Sequence, residues 1–547
     1  MIQNLANLMN IKLNVINLSQ SSDESDLLGG FKPVSAKNFL KKYYEEILNI
    51  LKENFDTEKN KTFIQSLYET NNSKKEITFI KFCIGALKKI KEKIPENSNQ
   101  LKKINSLNGE LNKFLSQISK NNNQSNKNTF KYIEGILLQS IKNDEWILLD
   151  EINLANDDML LKLKSILEGN SIFLMNNNKI NCYKKQKNFR IFGSMNPEYN
   201  IGKKRLPNEI REFFNELFIN EISTQKDLKN FICSYLNDLP QINDSHIDLL
   251  TNFYMEIKSY QNKNQILKLN GNKCSFSLRT LSRTLITIRN GIKIFPKVDY
   301  AIYESISMNF LSQLDNKSKN ILSIKNNDGT KLNLINEILE KNISDPKNNF
   351  ILTKMFINHL ETLIQIITLS DYAVLLEGPT SCGKTSIIEF LAKTLNQKIL
   401  RINNNQNTEV EEYIGTYTTN KNGNFFFNEG FLVKAVKEGF WIILDEINLA
   451  PSEVLEALNR LLDDNRELYI PEMNKVIKAH KNFRIFAAMN PSENYIGRKD
   501  LSNAFKNRFI HLFFNNIPND ELNIIIEKRC KIPYSRSKIM INIFKEL

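Results

Sequence analysis

The sequence predicts an α/β fold in two tandem copies, each a core built on a parallel sheet and followed by a small helical unit. Three observations lead there. WILLDEINLA at 146–155 returns as WIILDEINLA at 441–450, an offset of 295 residues. NFRIFGSMNP from Asn188 is echoed by NFRIFAAMNP from Asn482, and IGKKRL from Ile201 by IGRKDL from Ile496. Finally, AVLLEGPTSCGKTSIIEFLAKTL at 373–395 reads as an apolar strand, a Gly-rich turn and an amphipathic helix. A repeat of this length defines the architecture before any motif is interpreted.

Size agrees with the repeat. A single core stops growing at roughly 250–300 residues, and the chain has 547, so two or more domains are expected. Hydrophobic residues at 41% and charged residues at 25% are a globular balance. The net charge of +13 would suit contact with RNA phosphates. Lys is nevertheless spread along the whole chain, and no basic tract is interleaved with aromatics, which favours a solvated surface. Cys83, Cys182, Cys233, Cys274, Cys382 and Cys530 never form a C-x-x-C pair and the four histidines are scattered, so neither a zinc site nor disulfides are expected. Residues 1–20 do not read as a signal peptide, and no stretch approaches a membrane span.

Upstream of the repeated strands the offset changes. INLSQSSDESDLLGGF from Ile16 aligns with INNNQNTEVEEYIGTY from Ile402, an offset of 386, so the first copy carries about 91 extra residues between Phe31 and Phe130. Leu40, Tyr43, Tyr44, Ile47, Leu48 and Leu51 follow helical spacing, as do Leu101, Ile104, Leu107, Leu111, Leu115 and Ile118. The Asn-rich stretch 121–128 reads as a loop returning to the core. The same offset places the first copy's equivalent of the Gly-rich turn just before Met1, so the chain is expected to begin inside a domain. The expected units are a first core at 1–221 with a helical insertion at about 32–127, and a helical lid at 222–313. An Asn-rich linker at 314–349, a second core at 350–517 and the start of a second lid at 518–547 complete the chain.

The second copy carries the fuller chemistry. Residues 378–385 match G-x-x-x-x-G-K-[ST], in the strand–turn–helix context that a phosphate-binding loop requires. Gly378 and Gly383 let the backbone wrap phosphates, with Pro379, Thr380, Ser381, Cys382 and Ser386 completing the loop and its helix start. Lys384 supplies positive charge to the β- and γ-phosphates, and Thr385 a hydroxyl to Mg²⁺. The apolar strand from Trp441 ends in Asp445 and Glu446, at the strand end where open α/β folds bind ligands. An acidic pair there is also common as a helix cap, but the phosphate loop 60 residues earlier favours chemistry: Asp445 for Mg²⁺, Glu446 to polarise the attacking water. Asn490, after the next strand, could sense the γ-phosphate and orient water, although Asn before Pro is also a common turn. A hairpin-like segment at 468–478, matched by 171–183, reads as a packing or pore-facing element. Arg508 stands where a finger crossing to a neighbouring site is expected, with a surface Arg as the competing reading.

The first copy keeps Asp150 for metal, Glu151 and Asn196, but lacks the loop. Phe213 falls opposite Arg508, and Arg211, two residues away, points elsewhere on a helical turn. Downstream, FSLRTLSRTL places Arg279 and Arg283 on a lid helix, where Arg279 is a candidate nucleotide contact and a solvated face is the competing reading.

SDLLGGFKPV at 25–34, EGPTSCGKTS at 377–386, EEYIGTY at 411–417 and LNRLLDDNRELYIPE at 458–472 together resemble midasin, a family of giant AAA+ ring ATPases. The likeness is strongest to its second and third AAA+ modules. It implies ATP and Mg²⁺ as cofactors, Arg279 as a sensor 2 arginine, and a six-module ring with nucleotide between modules, so that Arg508 serves the first copy's site. It also implies nuclear work on precursors of the large ribosomal subunit, releasing assembly factors, with rRNA nearby and no membrane. A non-hydrolysing regulatory module and a dynein-like or MoxR-like motor are the alternatives, and no segment specifies adenine over guanine.

Overall fold

The structure, a computed structural model, describes residues 2–34, 76–91, 129–318 and 351–546, apart from short gaps such as 197–204, 268–273, 420–424 and 492–500, together with isolated positions between 47 and 112. In the first copy, strands β1 (Leu13–Asn17), β2 (Trp146–Asp150) and β3 (Ile191–Ser194) form a parallel sheet in that order. The extra residues enter at the tip of an antiparallel pair, Gly29–Val34 with Thr129–Glu134. The second copy repeats that pair as Gly415–Thr419 with Phe425–Glu429, closed by a short connection. A hairpin tip tolerates such an insertion because its ends are already held together. Within it, Glu76–Lys91 is helical and buries Ile80, Cys83 and Leu87. Ile104, Leu107 and Leu111 are also buried, whereas the run 40–51 apart from Ile47, the loop 121–128 and most of 314–349 lie outside the described residues.

The first lid contains helices Gln225–Leu236, Asp244–Asn262, α1 (Leu278–Gly291) and Val298–Asn309. Apolar residues at helical spacing, among them Leu228, Ile232, Leu250, Ile257, Leu285 and Ile288, close a core around Phe310. The lid also leans on the second core. Asn290 donates to the Leu369 carbonyl at 2.9 Å, and Leu369 packs with Phe295, Tyr300 and Ala301 of the lid.

In the second core, β4 (Ala373–Glu377), β5 (Ile399–Asn403), β6 (Trp441–Asp445), β7 (Arg484–Met489) and β8 (Phe509–Phe513) make one parallel sheet in the order β8-β4-β7-β6-β5. A parallel sheet needs helices on both faces, and its central strands are therefore apolar throughout. Val374 and Leu376 turn to one face, against helix Lys354–Leu369 and α2 (Lys384–Thr394). Leu375 and Leu444 turn to the other, against helix Phe431–Glu438 and α3 (Ser452–Leu462). All five strands point the same way, so Glu377, Asp445 and Met489 finish on one edge, where the motif residues gather.

The hairpin positions form antiparallel pairs in both copies, Ser171–Asn176 with Lys179–Lys184 and Glu467–Ile470 with Lys475–Lys478. The copies differ at the far edge. The segment at the repeat position of β8 is not a strand, and its Leu217 and Phe218 are 88% and 79% exposed. Among the described residues β8 pairs only with β4, and they include no first-copy counterpart of β4. Helices Asn519–Cys530 and Tyr534–Glu546 pack together after the second core, and no described helix is long and apolar enough to cross a membrane.

Candidate functional site

Between β4 and α2 the loop takes left-handed backbone at Ser381 (φ 60°) and Gly383 (φ 92°). Alternation of this kind turns successive N–H groups inward, and the first amides of α2 add the positive end of its dipole. Gly378 is required by space: a Cβ there would lie 2.4 Å from the Phe514 carbonyl oxygen. The cradle therefore fits a phosphate chain. Lys384, only 9% exposed, sends its ammonium to the carbonyls of Gly378 (2.7 Å) and Pro379 (2.6 Å) and to Asn490 Oδ1 (2.8 Å). The Asn490 amide then donates to Glu446 Oε1 at 2.9 Å. A cation on the carbonyl oxygen and a carboxylate at the NH₂ fix which way that amide faces.

Beside this chain, Thr385 donates to Asp445 Oδ1 at 3.1 Å, which pairs the two residues expected to hold magnesium. Asp445 is 6% exposed, and its other oxygen receives the Arg401 guanidinium, with Nε and Nη2 each 2.6 Å away. Glu446 adopts φ 50° and its first-copy equivalent Glu151 adopts φ 57°. Left-handed backbone is uncommon outside glycine, and it recurs here at the same acid in both copies. The following Asn is shared as well: Asn448 donates to the Asn490 carbonyl at 3.0 Å, and Asn153 to the Asn196 carbonyl at 3.4 Å. Asn196 in turn donates to Glu151 at 2.8 Å, so the amide–carboxylate pair recurs in the first copy. Asp150 differs from Asp445 in taking its bond from the Ser194 hydroxyl. Burial raises the Cys382 thiol above its usual range, against the pull of Lys384, which keeps it a neutral packing group.

The two remaining arginines meet. Arg508 Nε lies 2.9 Å from Asp463 Oδ1, and Arg279 Nη2, reaching over from the first lid, lies 3.4 Å from the same oxygen. Neither the finger reading nor the sensor reading anticipates this carboxylate. Arg283, read as a companion of Arg279 on a lid face, is instead 3% exposed. It donates to the carbonyls of Asn507 (3.1 Å) and Leu462 (3.3 Å) and stacks over Tyr372 at 4.5 Å. Phe213 is 40% exposed, and Arg211 forms a two-pronged pair with Glu216. Arg401, Asp463 and the Asn448 and Asn153 braces were missed by sequence reasoning. The braces sit inside the repeated INLA, and Arg401 is a charge in an otherwise apolar strand; those were the available signals.

A phosphate cradle, a Thr–Asp pair and an Asn–Glu pair at the carboxyl edge of a β8-β4-β7-β6-β5 sheet, in a chain whose first core is followed by a helical lid, define a P-loop protein of the AAA+ class. The AAA domain (dynein-related subfamily) matches residues 114–214 and 373–509, and the Midasin AAA lid domain matches residues 227–328. Midasin of Dictyostelium discoideum is 34% identical over 622 aligned residues, covering 100% of this chain and 10% of its own length. Midasin of Giardia intestinalis is 31% identical over 606 aligned residues, covering 96% of this chain and 12% of its own. An uncharacterized protein of Staphylococcus epidermidis is 37% identical over 163 residues, covering 29% of this chain and 61% of its own. The chain is homologous to midasins along nearly its whole length, and it spans about a tenth of the length of the midasins it matches.

Proposed function

We propose that the second module binds Mg·ATP in loop 378–386 and hydrolyses it as one site of a midasin-type ring that remodels precursors of the large ribosomal subunit in the nucleus. The observation that supports this reading is the unbroken chain from Lys384 through Asn490 to Glu446, beside the Thr385–Asp445 pair. In it, Lys384 and the loop amides would hold the phosphates and Thr385 and Asp445 would hold Mg²⁺, whose charge would stabilise the transferred phosphoryl group. Glu446 takes a proton from the attacking water, and Asn490 keeps that carboxylate aimed. Asp150, Glu151 and Asn196 play the same parts in the first module, with Arg279 reaching its nucleotide from the lid and Arg508 from the next core. Other modules of the ring and assembly factors on the ribosomal precursor are the partners.

The test is binding and turnover in the full-length protein. Lys384→Ala is expected to abolish Mg·ATP binding at this site, and Glu446→Gln to keep binding while turnover at the site falls by about 10²-fold or more. Retained affinity in Lys384→Ala, or unchanged turnover in Glu446→Gln, would refute the assignment. A second reading, in which the first module binds nucleotide without turning it over, is favoured by the tie of Arg508 to Asp463, which holds the expected finger on its own module. It predicts that Glu151→Gln leaves total turnover unchanged.

A further inference from the structure

We propose that Arg401 is a resident cation of the second module's metal site, competing with Mg²⁺ for Asp445 and so setting how much magnesium the site requires. The proposal rests on the reading of loop 378–386 as a nucleotide site. Asp445 is almost fully buried and has two oxygens: Oδ1 faces the Thr385 hydroxyl, and Oδ2 carries Arg401 at 2.6 Å through two nitrogens. A divalent ion held by Thr385 and Asp445 would thus have a fixed positive charge on the far side of its carboxylate. Two like charges sharing one carboxylate repel, and the nearly buried position of Asp445 limits screening.

Arg401 is nevertheless placed to move. Its side chain is 49% exposed, and its Nη1 already reaches 3.4 Å towards Glu389 on α2, itself 50% exposed. The guanidinium can shift from Asp445 towards Glu389 and solvent while its stem stays on β5. The first copy supplies an internal comparison. By the repeat alignment Val15 holds the place of Arg401, and there the equivalent acid, Asp150, pairs with the uncharged Ser194 hydroxyl. Among the described residues the two modules therefore share the acid and differ in the charge of its partner.

The experiment measures binding of a fluorescent ATP analogue by the 547-residue chain, in EDTA and across a Mg²⁺ titration. The variants are Arg401→Met, Arg401→Lys and Lys384→Ala. Arg401→Met should lower the half-saturating Mg²⁺ concentration by about tenfold, the scale of one unit charge acting on a divalent ion at a half-exposed position. Arg401→Lys, which keeps the charge, should stay close to wild type. An unchanged or raised magnesium requirement in Arg401→Met overturns the proposal, the latter showing that Arg401 orients Asp445 instead. Arg401→Gln gives the same reading should the methionine variant not fold. If wild type binds no more nucleotide than Lys384→Ala, the nucleotide-site reading fails and this proposal falls with it, a result independent of any Arg401 variant.

Discussion

Neutralising Asp463 should loosen Arg508 far more than it loosens Arg279, although both arginines rest on the same oxygen. The Arg508 side chain is 11% exposed, that of Arg279 39% and that of Asp463 25%. Breaking a fully buried pair by removing one partner costs about 3–5 kcal/mol, whereas an exposed pair is worth about 0–1 kcal/mol. Arg508 keeps a bond to the Ala504 carbonyl at 3.1 Å, which moderates the loss. A coupling of about 2 kcal/mol between Asp463 and Arg508 follows, against roughly 0.5 kcal/mol between Asp463 and Arg279. Double-mutant cycles of Asp463→Ala with Arg508→Ala and with Arg279→Ala measure both terms. The chain has two tryptophans, Trp146 in the first core and Trp441 in the second. Urea unfolding followed by fluorescence in a Trp146→Phe background therefore reports the second core alone. Equal couplings, or one below about 0.5 kcal/mol for Arg508, would refute the ranking by burial. The consequence is functional: about 2 kcal/mol is a factor of roughly 30 in population. In the proposed role Arg508 leaves its own module only when an anion next door attracts it more strongly than Asp463 does.

Three further outcomes follow from the same geometry. Gly378→Ala sets a Cβ 2.4 Å from the Phe514 carbonyl oxygen and should cost about 1–3 kcal/mol in urea unfolding together with nucleotide affinity; a neutral variant would show that the loop can shift at no cost. Arg283→Met removes the lid's bonds to the Asn507 and Leu462 carbonyls while keeping much of its packing, and should speed limited proteolysis between lid and second core; an unaltered cleavage pattern counts against Arg283 as the tie. His359 is held below its usual 6.5 by burial, and its ring stacks on Phe514 at 4.1 Å. A depressed folded value means that stability is present above about 6.5 and declines as the pH falls below it, so His359→Phe should flatten the acid side of the stability profile, and an unchanged profile would remove His359 as the cause.

What could be read from the sequence was whatever is local. The phosphate loop is one contiguous run whose Gly spacing dictates its backbone, and the acids follow apolar runs of strand length, so loop, strands and acids were all placed by pattern. Repetition made the first copy readable without its loop. The strand order β8-β4-β7-β6-β5 was not readable, because crossovers leave no local mark. Arg401 and Asp445 are 44 residues apart, and Arg508 and Asp463 are 45 apart. Each such partner is an unremarked charge in sequence and gains meaning only when the sheet brings its strand alongside. Arg279 was placed on the correct helix, but its direction depends on how the lid meets the next core, which no motif encodes. Arg283 shows the same limit in reverse, since an arginine in a run of Ser, Thr and Leu resembles a solvated face and is here nearly fully buried.

That burial gives the lid its leverage. Arg283 bonds the carbonyls of Leu462 and Asn507, and these are the residues immediately before Asp463 and Arg508. One turn earlier on α1, Arg279 touches Asp463 itself. A single lid helix therefore grips the backbone on both sides of the ion pair and shares its carboxylate. Because interiors are close-packed, such a contact changes between discrete arrangements and does not stretch. A rotation of the first lid must then either carry the Asp463–Arg508 pair with it or break the two Arg283 bonds, and the buried guanidinium would lose its acceptors in the second case. The first course is the cheaper one. The lid of one module is in this way mechanically continuous with the arginine proposed to serve that same module's nucleotide.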